Sequence, residues 1–393
     1  MALNTVSSDR LSTNVKNTNF TSAEKQDLTD DIKPLLGSSG GGGKNLIING
    51  AQLVAQRGTS STSDSYQTID RFAKLESGTD ESVTQSQVDV AAGTTPYTNG
   101  FRKSFRLTNG NQTSGAGAGD NALIRYKVEA QDIANSGWNY VSSSSNITLS
   151  FWIKSSVAQN FYFNFIAPDG TSYNYPMETG SLTADTWTKI TKTIPGNSNL
   201  TFNNDNGVGL QIDWWAFAGT NYTASGVTLN QWAAYSSGNR LPDNTSTWWT
   251  TNDATLEITG VQLEVGSVAT DFEHRSFPVE KRLCMRYYQQ HTNIVAVGYT
   301  GGSLSYHHGF TFPVEMRDAP TYSITNTGSS NGQYVTDSDN NGFIQSVAGS
   351  DLQAHNMAVH FNHSGSLTNY RAAILFGVDS TVYQTTHKLS AEL

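Results

Sequence analysis

Residues 208–217, with the sequence VGLQIDWWAF, place aromatic and polar side chains next to one another. In an extended strand successive side chains point to opposite faces, so one face here is apolar and the other carries Gln211, Asp213 and Trp215. An indole ring can stack on the C–H face of a sugar, while amide and carboxylate oxygens accept hydroxyl hydrogens. We therefore predict that Trp215, Asp213 and Gln211 bind a glycan. Packing inside a core or between subunits is the alternative.

Other tryptophans extend this prediction. Trp152 lies with Lys154 on the polar face of a predicted strand. Trp248 and Trp249 form a pair in a predicted loop region, where exposed aromatic rings would favour binding. Trp152, Trp248 and Trp249 are therefore further glycan-binding candidates, again with packing as the alternative.

The sequence predicts neither a metal site nor a cofactor. Residues 337–342, DSDNNG, match the first half of a calcium loop, but its twelfth position is Ala348 instead of Glu, so we favour a hairpin turn. His307 and His308 are adjacent in a predicted strand and should face opposite sides, which prevents them from sharing one metal.

Enzyme signatures are missing from the sequence. It contains no GxSxG, HExxH, phosphate-binding loop or GxGxxG motif. No acidic pair is evident for glycoside hydrolysis, and the sequence shows no long repeats. We therefore predict that the chain is not an enzyme. A glycan-degrading enzyme remains an alternative, because such carboxylates can come from distant strands.

Composition indicates a mostly β protein. Charged residues make up 15% of the 393 residues, and short alternating apolar and polar runs are separated by Gly, Asn and Ser. The net charge of −9 argues against nucleic acid as a partner. No apolar run approaches the roughly 20 residues needed to cross a membrane, and the N-terminus lacks the apolar region of a signal peptide.

We divide the chain into four parts. Residues 1–36 are an N-terminal segment with a capping box at Thr21 and Glu24 and a predicted helix at 22–32. Such a short helix needs a partner in water, so we predict that this segment anchors or oligomerises the chain through Phe20, Leu28, Ile32 and Leu35. Then follow a Gly/Ser linker at 37–43, a jelly-roll β-sandwich at 44–278 and a second C-terminal β-sandwich domain at 279–393.

Short motifs resemble structural proteins of tailed bacteriophages. The resemblance rests on QLEVGSVATDFE at 262–273, CMRYYQ at 284–289, FPVEMRDAP at 312–320, SAEL at 390–393, NLIING at 45–50 and a fibre-like N-terminal element at 11–28. It implies a fibre or spike subunit on the virion surface with a carbohydrate-binding-type jelly roll. It further implies a homo-oligomer, a trimer, attached to capsid or tail proteins through residues 1–36 and binding host-surface polysaccharide. A capsid decoration protein (head fibre or knob) without a specific ligand is the main alternative, and a glycan-degrading tailspike is the second.

Overall fold

The computed structural model describes residues 43–302, 305–326, 333–337, 341–364, 367, 371–376 and 385–393. Strands dominate this part of the chain, which confirms the mostly β prediction. The N-terminal helix and Phe20, Leu28, Ile32 and Leu35 lie outside the described residues, so their role stays a prediction. No helix in the described ranges is long and apolar enough to cross a membrane.

The predicted jelly roll is present as two six-stranded antiparallel sheets. Sheet I has the order β1-β3-β4-β12-β6-β9, and sheet II has the order β11-β8-β7-β10-β5-β2. The strands of the two sheets are β1 (Ser60–Ser61), β2 (Phe72–Ser77), β3 (Thr84–Asp89), β4 (Lys103–Thr108), β5 (Asn121–Glu129), β6 (Asn146–Ser155), β7 (Asn160–Ala167), β8 (Tyr173–Ser181), β9 (Thr188–Pro195), β10 (Val208–Ala218), β11 (Ala233–Ala234) and β12 (Thr255–Val265). Two short helices, α1 (Thr95–Thr98) and α2 (Ala130–Ala134), lie in the connections.

Alternation along the strands builds the core between the sheets. The inward residues of β6 and β7 belong to one buried apolar cluster, as their period of two predicts: Ile147, Leu149, Phe151, Ile153, Phe161, Phe163 and Phe165. Trp214 of β10 joins this cluster, with its ring centroid 5.7 Å from that of Phe151. Strands β6, β7 and β10 therefore turn their apolar side chains into the core between the sheets, and the side chains that alternate with these lie on the outer faces.

Strands of the C-terminal part close into a barrel instead of two open sheets. Helix α3 (Phe277–Cys284) leads into a three-stranded sheet of order β13-β21-β16, and the barrel has the order β14-β15-β19-β18-β17-β20. The strands are β13 (Tyr288–Thr292), β14 (Ala296–Gly302), β15 (Ser305–Thr311), β16 (Thr321–Asn326), β17 (Tyr334–Thr336), β18 (Asn341–Leu352), β19 (Asn356–Ser364), β20 (Ala372–Phe376) and β21 (Thr385–Ser390). A separate apolar cluster fills this part.

Several histidines of the C-terminal part are buried. His308 is buried beside the rings of Tyr306 and Phe361, whereas His307 stacks on His360, so the two neighbours face opposite sides as predicted. Burial lowers the pKa of His308 to about 4, and burial together with His308 and His291 lowers that of His387 to about 3.

We expect the stability of this part to fall as the pH drops below about 6.5, because the unfolded chain then binds protons that the folded state excludes. The loss should continue down to about pH 4, where His308 itself titrates in the folded state. Urea unfolding at about pH 7 and about pH 5 measures it. His308→Phe should reduce the pH dependence more than His307→Gln, because burial lowers the pKa of both histidines but His307 is only half-buried. An equal response of both variants would contradict the role of His308.

The motifs of the C-terminal part meet the sandwich at one junction. Residues Asn45–Leu393 form one compact unit. Arg286 of the CMRYYQ motif donates two hydrogen bonds of 2.7 and 2.8 Å to the buried Glu129 of β5. Arg71 pairs with Glu392 of the terminal SAEL at 2.6 Å, and its guanidinium lies 3.4 Å from the ring centroid of Tyr287. These motif residues therefore join the two parts. The boundary after residue 278 stays a prediction.

Candidate functional site

The polar side chains on the outer face of β10 are hydrogen-bonded to other residues of the protein. Asp213 is fully buried and receives hydrogen bonds of 2.7 and 2.8 Å from Arg125, directly opposite on β5. Gln211 donates a third, of 2.9 Å, to the same carboxylate. The three predicted residues do share the outer face of sheet II, but the oxygens of Asp213 are occupied by these donors.

Trp215 and the Trp248-Trp249 pair are buried. Trp215 is 3% exposed, packs with Tyr222 and Leu241, and donates its indole N–H to Asn164 at 2.7 Å. Trp248 and Trp249 are 0% exposed and belong to the core between the sheets. The expectation of exposed rings in this loop region is therefore wrong, because the loop folds its two tryptophans inward. The rings of all three are packed against protein in this structure.

Trp152 differs from the other predicted tryptophans. It follows the core residue Phe151 on β6, so it lies on the outer face of sheet I, where it is half-buried. It lines a cleft of about 270 Å³, which we call the Trp152 cleft. Its neighbours across the sheet are Lys189 of β9 and Thr259 of β12. The Trp152 cleft brings together an indole, an amine and hydroxyl groups.

An aromatic wall completes the cleft. The rings of Phe101, Phe272 and His274 lie within 4.9 to 5.1 Å of one another, centroid to centroid. Gly260 adopts φ +62°, and a Cβ there would come 2.6 Å from the Phe101 ring, so a side chain at this position would displace the wall. Asn99, Ser150, Thr270 and Asp271 contribute the remaining polar lining.

The QLEVGSVATDFE motif positions this wall. Glu264 accepts hydrogen bonds from the backbone N–H and the hydroxyl of Thr270, at 2.9 and 2.7 Å. Gln262 accepts one from the backbone N–H of Glu273 at 2.8 Å. These bonds fold the segment after β12 back against the sheet, which places Phe272 beside Phe101. The motif therefore has a structural role next to the cleft.

Fixed charges lie beside the cleft on the same face. Glu257 is 1% exposed and pairs with Lys154 at 2.9 Å and with Arg106 at 2.8 Å. The ammonium of Lys154 is also 5.2 Å from the ring centroid of the half-buried Trp187. Trp152 and Trp187 pack in the same apolar cluster. This arrangement holds two partly exposed indoles on the outer face of sheet I.

Sequence reasoning found Trp152 but missed the residues around it. Trp187 comes from the loop before β9, whereas Phe272 and His274 come from the segment after β12, and their position beside β6 depends on strand order. The only signal for Phe272 was its place in the QLEVGSVATDFE motif.

The described residues offer few groups for metal binding, thiol chemistry or acid catalysis. No group of three or more His, Cys, Asp or Glu side chains there could hold a metal ion. Cys284 is buried, and burial, followed by nearby Asp70 and Glu280, raises the pKa of its thiol, which disfavours a reactive thiolate. Asp271 is the acidic residue among those that line the Trp152 cleft.

No family model matches this chain, and no curated protein sequence matches it. Solved structures with a similar fold include the enzymatically active domain of tailspike protein 4 from bacteriophage CBA120, at 10% identity and a TM-score of 0.31 over 57% of this chain. The chain spans only 22% of that domain.

Two carbohydrate modules are also similar in fold. The family 11 carbohydrate-binding module of a Clostridium thermocellum cellulase has 12% identity and a TM-score of 0.25, over 55% of this chain and 98% of the module. The cellulose-binding domain of Cellulomonas fimi β-1,4-glucanase C has 11% identity and a TM-score of 0.25, over 55% and 99%. At these scores the likeness assigns no ligand or partner to this chain.

Proposed function

We propose that this chain is a non-enzymatic surface component of a bacteriophage virion that binds host-surface glycans through the Trp152 cleft. Residues 1–36 attach it to capsid or tail proteins, and three copies assemble into a fibre or spike. Several weak sites on one particle then act together through avidity.

The observation that carries glycan binding is the half-buried Trp152 beside a polar lining. A sugar ring can stack on an indole while the side chains of Lys189, Asn99 and Asp271 bond its hydroxyl groups. Glycoside hydrolysis needs two carboxyl groups across the scissile bond. Asp271 alone among the lining residues supplies one, which favours binding over cleavage.

The virion assignment is supported by the motifs quoted above and by their order along the chain. One observation favours a capsid decoration protein without a ligand: Trp214, Trp215, Trp248 and Trp249 are all buried. Cryo-electron microscopy of intact particles separates these functions by position. Density at the tail supports a receptor-binding fibre, whereas density on capsid faces favours decoration.

We expect Trp152→Ala to abolish glycan binding while leaving the fold intact, because the ring lies on the outer face of sheet I. Affinity electrophoresis in gels that contain β-glucan, xylan, mannan or lipopolysaccharide measures binding. The wild-type chain should be retarded by at least one polymer, and the variant should migrate as in a gel without polymer.

Tyr162→Ala is the matched control, since Tyr162 is a half-buried aromatic residue on the outer face of sheet II. It should be retarded like the wild type. Loss of binding in Tyr162→Ala with retention in Trp152→Ala would move the site to sheet II. No retardation of the wild type by any polymer would count against glycan binding.

A further inference from the structure

A second cleft lies where the sandwich meets the three-stranded sheet. It has a volume of about 330 Å³, and we call it the junction cleft. Arg57 and residues 65–67 line it from the sandwich, and residues of β13, β16 and β21 line it from the other side. Its lining contains two cations, Arg57 and Lys388, and no Asp or Glu. We propose that the junction cleft binds an oxyanion, the carboxylate or phosphate group of a small hydroxylated ligand.

Arg57 is held rigidly at this cleft. Its guanidinium lies 3.5 Å from the ring centroid of Tyr288, and Nη2 is 3.2 Å from an oxygen of Glu392. Its Nη1 is buried and has no hydrogen-bond partner in the part of the chain that the structure describes. The carboxylate of Asp70 is 3.8 Å away, which is too far for such a bond. A buried donor without a partner is costly, and a negative charge in the cleft would stabilise this guanidinium electrostatically.

Lys388 is the second cation of the cleft, and unlike Arg57 its side chain is not paired with a carboxylate of the described residues. Its side chain is partly exposed, and it makes no ion pair or hydrogen bond with the described residues. The chain carries a net charge of −9, so a cleft whose two charged lining residues are both cations is a local exception. Lys388 can therefore attract an anion as a point charge.

Hydroxyl groups surround the two cations because of the strand register. Lys388 and Ser390 are two residues apart on β21 and share a face. Ser390 pairs with Thr321, and Lys388 pairs with Ser323, both on β16. Hydroxyls donate to oxyanions and also bond to the hydroxyl groups of a ligand. This lining fits a hydroxylated anion better than a bare hydrophobic acid.

Three probes distinguish the sources of the oxyanion: inorganic phosphate, glucuronate, and glucose as the neutral counterpart of glucuronate. Phosphate binding is measured by ³¹P relaxation, and sugar binding by saturation-transfer difference NMR, on the full chain. We expect the wild type to bind phosphate, glucuronate or both, and glucose at least roughly tenfold more weakly. Binding of one anion alone supports the site and identifies its preferred oxyanion.

Lys388→Gln tests the residue directly, because it removes the charge from a partly exposed side chain. It should weaken anion binding at least roughly tenfold, and Lys388→Arg should restore it. Lys192→Gln, at a partly exposed lysine of β9, is the matched control and should bind like the wild type. Equal binding by Lys388→Gln and the wild type, equal binding of glucose and glucuronate, or no anion binding by the wild type would overturn the proposal. The Trp152 cleft lies on sheet I, so these results are independent of the proposed function.

Discussion

Arg286→Ala is expected to lower the free energy of unfolding by about 3–5 kcal/mol at neutral pH, the usual cost of removing one partner from a buried ion pair. Glu129 is fully buried, and Arg286 donates two of its hydrogen bonds. Without Arg286, the carboxylate would keep the neutral donors Tyr287 and Gln131 and no cation-donated hydrogen bond from the described residues. Urea unfolding followed by tryptophan fluorescence measures the loss.

The pH dependence gives this prediction a specific signature. Burial raises the pKa of Glu129, but hydrogen bonds from Arg286 and Tyr287 and the charge of Arg286 outweigh it and hold the pKa below its usual value. A lowered carboxyl pKa stabilises the fold above about pH 4.5, and this contribution is lost as the pH falls through the folded pKa. The difference between wild type and Arg286→Ala should therefore be largest near neutral pH and shrink in acid.

Arg282→Ala is the matched control for the junction, because Arg282 is an exposed arginine of α3, four residues earlier. It should change the free energy of unfolding by less than about 0.5 kcal/mol. A similar small effect for Arg286→Ala, or a loss that does not vary with pH, would show that the Glu129 pair does not stabilise the junction.

Trp214→Ala is expected to cost about 3–5 kcal/mol, because it leaves a large void between the two sheets. Trp214 is 1% exposed and contacts the aromatic rings of Phe72 and Phe151. It also lies directly opposite Phe163 on β7 of the same sheet, whereas Phe151 belongs to sheet I, so its loss affects both sheets. Thermal and urea unfolding of the variant, compared with the wild type, measure the effect.

Trp214→Phe provides a graded comparison. The indole N–H of Trp214 is buried without a hydrogen-bond partner among the described residues, so phenylalanine removes an unsatisfied donor and keeps much of the ring volume. We expect a clearly smaller loss than for alanine. Trp152→Ala, on the outer face, should also cost less than Trp214→Ala. Equal losses at positions 152 and 214 would contradict the assignment of Trp214 to the core.

Strand positions followed well from the sequence. Apolar residues alternate with polar ones at 147–153 and 161–165 in the sequence, and these runs lie within β6 and β7 with their apolar residues buried. The period of two is local, so it identifies a strand and its inward face without knowledge of its neighbours. The same reasoning separated Trp214 from Trp215 on opposite faces of β10.

The solvent exposure of the tryptophan rings did not follow from the sequence. Alternation placed Trp215 on the outer face correctly, but Tyr222 from the loop after β10 and Leu241 from the segment between β11 and β12 cover that ring. Similarly, a loop position for Trp248 and Trp249 did not imply solvent, because the loop packs into the core. Whether a ring on the outer face of a sheet is accessible to solvent depends on which loop residues pack against it.

The sequence by itself determined the β class and the inward faces of the central strands. It also contained the motifs that lie beside the Trp152 cleft and at the junction with the C-terminal part. Only the tertiary structure decided that Trp152, and not Trp215, lines an open cleft, and that Arg57 and Lys388 lie on one junction cleft. The physical reason is range: side-chain alternation is a property of neighbouring residues, whereas clefts and buried ion pairs form between residues that strand order and sheet packing bring together.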